Sequence, residues 1–458
     1  MHLTETFLPV LDEFRRVFTQ PTYTTFVALM TGWILSHRHR YITELIQSSG
    51  CTHTGHHSRY HRFFSHAAWE LETLCQVLAR LLVTAFAPCG LIELAVDDTL
   101  CRKRGLTIYG TGMHHDPLLS SRALKRVSWG HDWVVLCLVV RCPWAPTKVW
   151  CLPLLCRLYR NHQGRTKGHG RAKTKTKAKR PADPNHRTRP ELAREMIALV
   201  ASWFPSRQLL VSGDSAYGGG SVLQHLPANV DLLSRVAPNA GLYAPAPVPL
   251  PGRKPSGRPR KKGARLPGMA AWAADLSQHW EVLSFDQFGL HATLWVKTIR
   301  ALYYKAGKDR LLTIVLVHDP EGKRPDQMFY CTRVDWDATQ LLSCYAHRWA
   351  IEVTFENAKQ LLGLEDPANR LPKAVARTAA MALVLYSLVV LWFHYVGHTD
   401  VQFPDRPWYR HKREPSFADM LSTLRRHSWE AFCAGAQREG TLAEKELAQL
   451  IDFVSRSG

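Results

Sequence analysis

The chain has 458 residues, more than one compact core usually fills, so two or three domains are expected. With 46% hydrophobic and 21% charged residues it is a folded protein and not a disordered or fibrous one. Lys and Arg number 59 against 38 Asp and Glu, a formal charge of +21, which calls for a polyanionic partner, nucleic acid before any other. The first residues, MHLTETFLPV, lack the order of a signal peptide. The most apolar run, Ala379 to Phe393, falls short of the roughly 20 residues that span a bilayer and reads as a buried helix. Eleven cysteines without a CxxC pair read as reduced core residues, so the expected setting is cytoplasmic with no membrane partner.

In chain order, residues 1–88 read as helices, with Thr4–Phe18, Tyr23–Leu35 and Trp69–Ala85 the clearest. Between them a segment dense in His, Arg and Tyr offers Arg38, Arg40, Arg59 and Arg62 to phosphates, as a helical DNA-binding domain would. Cys51, His53, His56, His57 and His61 match no standard zinc spacing. From residue 91 the texture turns to strands: LIELAVDDTL, HDWVVLCLVVRCP and KVWCLPLLCRLY. A helix over 189–204 opens with Pro190 and Glu191, followed by a strand ending at Asp214, a short helix near 221–226 and the strand VDLLSRV. The expectation is a mixed α/β sheet covered by helices. Two segments interrupt it, 164–190 and 248–268, both rich in cations and poor in apolar residues. The second carries Arg258 and Arg260 in GRPRKKG, a short sequence suited to an AT-rich minor groove. Residues 279–332 alternate as β-strands, and two amphipathic helices close the chain.

The stretch YAHRWAIEVTFENAKQLLGLEDP (345–367) lies in a run, 338–362, without Gly or Pro that reads as one helix. Its apolar stripe holds Cys344, Ile351, Phe355, Ala358 and Leu362, with Tyr345, Arg348, Glu352 and Lys359 on the flank. Asp97 and Asp98 end the first predicted strand, and Asp214 ends the fourth. Carboxylates converging from strand ends repel unless a cation sits among them, and hard oxygen donors select Mg²⁺ or Mn²⁺. Strand alternation lets only one of Asp97 and Asp98 face such a site, and Glu356 shares a face with Glu352.

The order DDT (97–99), GDSAYGG (213–219), then Y-x2-R-x3-E-x6-K resembles the DDE transposases of bacterial insertion sequences, in the cut-and-paste group with the YREK signature. The match runs over about residues 90–395, and the spacing is met at Tyr345, Arg348, Glu352 and Lys359. The resemblance implies an RNase H-like α/β catalytic core with a β-rich insertion between the second Asp and the Glu. It implies a catalytic and metal-binding triad of Asp98, Asp214 and Glu352, Asp98 because the family's first Asp directly precedes Thr. Two Mg²⁺ (or Mn²⁺) ions are implied, with Tyr345, Arg348 and Lys359 holding the DNA backbone. The expected organisation is 1–88 helical DNA-binding domain, 89–236 core, 237–335 insertion, 336–398 end of the core and 399–458 C-terminal helices. The implied activity is strand cleavage at element ends and strand transfer, by a homodimer on DNA near the nucleoid. A base flipped during cleavage would find Trp272, Trp280 or Trp295. A structure-selective nuclease and a non-cutting DNA-binding regulator are the competing classes.

Overall fold

The computed structural model describes all residues except 1–2, 54, 122, 162–185, 248–259, 276, 278, 288–289, 404–406, 408–410 and 439–458. Most of basic segment 164–190, the first part of 248–268 with Arg258, and the last predicted helix therefore lie outside the described residues.

The helices at the start are α1 (Leu8–Asp12), α2 (Gln20–Leu35), α3 (Ile42–Ser48), α4 (Ser58–Ser65) and α5 (Leu71–Phe86). The expected helix over 4–18 is broken into α1 and a 3₁₀ turn at Arg15–Val17. Strands β1 (Ile92–Arg102), β2 (Gly112–His115), β3 (Val127–Cys142) and β4 (Ala145–Tyr159) follow. Then come α6 (Arg189–Trp203), β5 (Leu209–Gly213), α7 (Gly220–Leu223), β6 (Val230–Arg235) and α8 (Met269–Ala274). The chain continues through β7 (Glu281–Gln287), β8 (Leu290–Leu302), α9 (Tyr304–Gly307), β9 (Leu311–His318) and β10 (Gln327–Cys331). It closes with α10 (Ala338–His347), α11 (Ala350–Leu362), α12 (Pro372–Tyr395) and α13 (Phe417–Arg438).

All the strands join one ten-stranded sheet, ordered β2-β3-β1-β5-β6-β10-β9-β8-β7, with β4 also paired to β3. Strand β3 runs antiparallel to both β4 and β1, whereas β1, β5 and β6 are parallel. The strands of the 237–335 segment are no separate layer: β10 pairs antiparallel with β6 and carries the sheet onward. β2 escapes the sequence reading because four residues of GMHH show no alternation of polarity.

The N-terminal helices share their core with the sheet. A continuous cluster runs from Phe7, Phe26 and Trp33 through Leu94 and Val135 to Leu385 and Trp392. α12 is 24 residues long, longer than the apolar run read from sequence, and long and apolar enough to cross a membrane. It is buried inside the protein, with 94% of its most apolar window covered, as the reading of a core helix requires. Arg377 on α12 is 2% exposed and donates to the carbonyls of Phe63, Phe64, Ala67 and Trp69, tying the link between α4 and α5 to the core.

Candidate active site

β1 does not stop at the aspartates. It runs on to Arg102, so Asp97 and Asp98 stand mid-strand with side chains on opposite faces of the sheet. Asp97 accepts a hydrogen bond from Arg348 Nη1 at 2.5 Å. Asp98 turns to the α6 side, where it accepts from the Tyr217 hydroxyl at 2.6 Å and lies 3.4 Å from Arg189 Nε. Arg189 also pairs with buried Asp132 of β3, which flanks Asp98 on the same face.

The parallel pairing of β1 with β5 sets Val96 beside Gly213. The ladder ends there; Asp97 and Asp214 are the residues that follow on the two strands, and the Asp214 charge is felt at Asp97. Asp214 is the first residue after β5. Its Oδ1 accepts from the Ala216 amide at 2.8 Å and its carbonyl from Ser234 Oγ at 2.8 Å, so the turn is fixed. Gly218 is required in this turn because a Cβ there would strike the Ser234 side chain.

The third element is not the single helix read from the sequence. α10 ends at His347 and α11 starts at Ala350. Between them Arg348 and Trp349 bond back three residues, to Tyr345 and Ala346, and Ile351 and Glu352 repeat that tight step. No Gly or Pro marks the break. The cause is tertiary: His347 Nδ1 meets Glu93 Oε2 at 3.2 Å and Arg348 meets Asp97, so two successive residues are drawn down onto β1. Arg141 donates to His347 Nε2 at 2.8 Å and completes a latch that sequence reasoning missed. Its signal was there, since Glu93 and Asp97 are four apart on one strand and so share a face. Glu93, Cys344 and His347 are, among the described residues, the only three-residue group with metal-ligand spacing; the ring nitrogens of His347 are already engaged by Glu93 and Arg141.

Electrostatics centre on Arg348. Its guanidinium is felt by Asp97, Tyr345, Asp214 and Glu352 together. Burial pushes the Asp97 carboxyl up to about 7, with Arg348 opposing and the Asp214 charge adding to the rise. Partial desolvation also raises Glu352, again opposed by Arg348. Arg348 Nε is buried with no hydrogen-bond partner among the described residues. Tyr345 packs on Phe329, its ring centroid 4.6 Å away, and carries the Arg348 guanidinium 5.5 Å from its ring centre. Lys359 Nζ donates to the Leu100 carbonyl at 2.8 Å, holding α11 along β1. Glu356 lies one turn beyond Glu352 and bonds Gln360 at 3.1 Å.

The remaining predicted residues divide. Arg40 is 4% exposed and donates to the Leu361 carbonyl at 2.6 Å, so it is a core tie and not a phosphate contact as expected. Its backbone amide also bonds Asp366, where Gly363 ends α11 with φ 61° in the left-handed region. Arg38 and Arg62 are exposed, and Arg59 is half-buried with its guanidinium on Thr25 Oγ1 at 3.1 Å. Arg260 is exposed. Trp272 is buried, while Trp280 and Trp295 cluster with His318.

The model of the DDE superfamily endonucleases matches residues 13–299, and the chain belongs to that family. The match takes in both aspartate segments and ends before α10 and α11. Enzymes of this class cut phosphodiesters with divalent metal ions. No curated protein matches the chain.

Proposed function

We propose that the protein is a transposase of the YREK group that cuts the ends of a bacterial insertion sequence and joins them to target DNA. The observation that carries the reading is Arg348 set among Asp97, Asp214 and Glu352, with Tyr345 beside it. The order β4-β3-β1-β5-β6, three strands antiparallel and the last two parallel to β1, supports an RNase H-like core. The metal triad we assign is Asp97, Asp214 and Glu352. This departs from the choice of Asp98, because Asp97 feels the Asp214 charge and is the partner of Arg348.

The donor set fits hard cations. Asp97, Asp214 and Glu352 are hard oxygen donors gathered around Arg348, and burial raises Asp97, with the Asp214 charge adding to it, a cost that a bound cation would relieve. Bound there, Mg²⁺ or Mn²⁺, as two ions, supplies polarisation of the phosphodiester and counter-charge for the leaving oxygen. The chain's own groups do the rest. Arg348 offsets the Asp97 charge and fixes that carboxylate in place through its Nη1. Tyr345 braces that guanidinium from below, and Lys359 sets the pitch of α11 by its bond to β1. The exposed Arg38, Arg62 and Arg260, with Arg59 beside them, are assigned to DNA phosphates. Pairing of two element ends calls for a homodimer on DNA, in the cytoplasm at the nucleoid.

The test is incubation with Mg²⁺ and a duplex carrying the DNA that flanks the gene. Nicked ends and joined products are expected. Asp214→Asn should abolish cutting and leave binding within about twofold. Cutting without joined products would point to a nuclease, and no cutting at all to a DNA-binding regulator.

A further inference from the structure

The turn joining β2 to β3 holds leucines in solvent. Leu118 is 78% exposed, Leu119 54% and Leu124 52%, with Leu106 nearby in sequence at 82%. Leu118, Leu119 and Leu124 on one turn offer apolar side chains to a partner. The turn is also built to keep them there. Asp116 is 1% exposed, and its carboxylate accepts from the Leu118 amide at 3.1 Å, the Leu119 amide at 3.3 Å, Ser128 Oγ at 2.6 Å and the Arg102 guanidinium. Across the turn, the Arg126 amide donates to Ser120 Oγ and the Ser121 amide to the Leu124 carbonyl.

We propose that this turn is a wedge that inserts Leu118 and Leu119 between base pairs of the duplex held by the active site. The charge around it decides the occupant. Arg104, Lys125 and Arg126 stand exposed on the turn and its flank, while Asp116 holds Arg102, and Lys103 is tied to the Glu365 and Pro367 carbonyls. A second copy of the same surface would be repelled, whereas DNA meets cations at the rim and leucines at the centre, the composition of proteins that unstack a base step. The geometry suits the same DNA. Arg102, which holds Asp116, lies five residues beyond Asp97 on β1, roughly 17 Å at 3.3 Å per residue, or about five base steps.

The inference rests on the reading that DNA is the substrate, and the experiment separates the two. Wild type and Leu118→Ser/Leu119→Ser are bound to a random 30-bp duplex and to the same duplex with a two-base mismatch at its centre. A wedge recovers the cost of unstacking at the mismatch, so wild type should bind the mismatched duplex about tenfold tighter. The variant should keep its affinity for the paired duplex and lose the preference. Lys125→Gln/Arg126→Gln should weaken both duplexes alike. Equal preference in wild type and variant, or no preference in wild type, overturns the wedge. So does a wild type that is dimeric without DNA while the Leu variant is monomeric. Failure to bind either duplex overturns the DNA reading itself.

Discussion

Asp97 is a carboxyl that burial holds near a pKa of 7 in the folded chain, against about 3.9 for a free aspartate. Between those values the unfolded chain binds fewer protons than the folded one, so this group's contribution to stability is full below pH ~4 and is lost as pH rises through 7. With EDTA present, the melting temperature should fall from pH 6 to pH 8, and Asp97→Asn should flatten that fall. A slope unchanged in the variant would show that Asp97 does not titrate there. Asp98 gives the contrast. Its carboxylate sits on the other face, against Tyr217 and Arg189. The sequence states that two adjacent aspartates face opposite ways, but not which way. The contacts made in the folded sheet resolve it, Arg348 for Asp97 and Tyr217 and Arg189 for Asp98, and they belong to the fold and not to the dipeptide.

At the scale of elements, the step between α10 and α11 sets the position of Arg348 and Glu352. It is held by the latch of Glu93, His347 and Arg141 on β1. His347→Ala should lower cleavage about 10- to 100-fold by misplacing α11, with DNA binding unchanged. Glu93→Ala should do the same, and the double variant should lose little more, since the two act through one contact. Cleavage rates and binding curves for the three variants check this; additive losses would break the latch account. The long strands and α6 are legible because their residues form continuous apolar runs or a period-3.6 pattern, with Pro190 and Glu191 marking the start of α6. The break at 348–349 was not, because its residues are good helix formers and the distortion comes from partners some 250 positions away in the chain. Arg40 failed for a similar reason: an arginine in a basic segment reads as a phosphate contact until the carbonyls it ties are seen.

Across the whole molecule, the helices of residues 1–88 share one core with the sheet, and Arg377 is the tie. Arg377→Met should cost about 3 kcal/mol, because it strips the donors from buried carbonyls, and urea denaturation measures it. Deleting 1–88 would expose that core, so Arg38→Ala/Arg62→Ala is the sounder probe of the phosphate assignment: it should weaken binding to end DNA and to random DNA alike in competition. The basic segments carry eight cations over 165–180 and seven over 253–265. If half of them meet phosphates, replacing them by Gln should flatten the slope of log affinity against log salt by about 6 to 7. An unchanged slope would place the work of the +21 charge on the folded surface. The central claim is that Asp97, Asp214 and Glu352 converge on one reacting phosphate. The most direct measurement is Mg²⁺-dependent cleavage of end DNA by Asp97→Asn and Asp98→Asn side by side. The account predicts that Asp97→Asn loses at least about 10³-fold in rate while Asp98→Asn keeps cutting, reduced at most about tenfold. Cutting that survives in Asp97→Asn and vanishes in Asp98→Asn would contradict it.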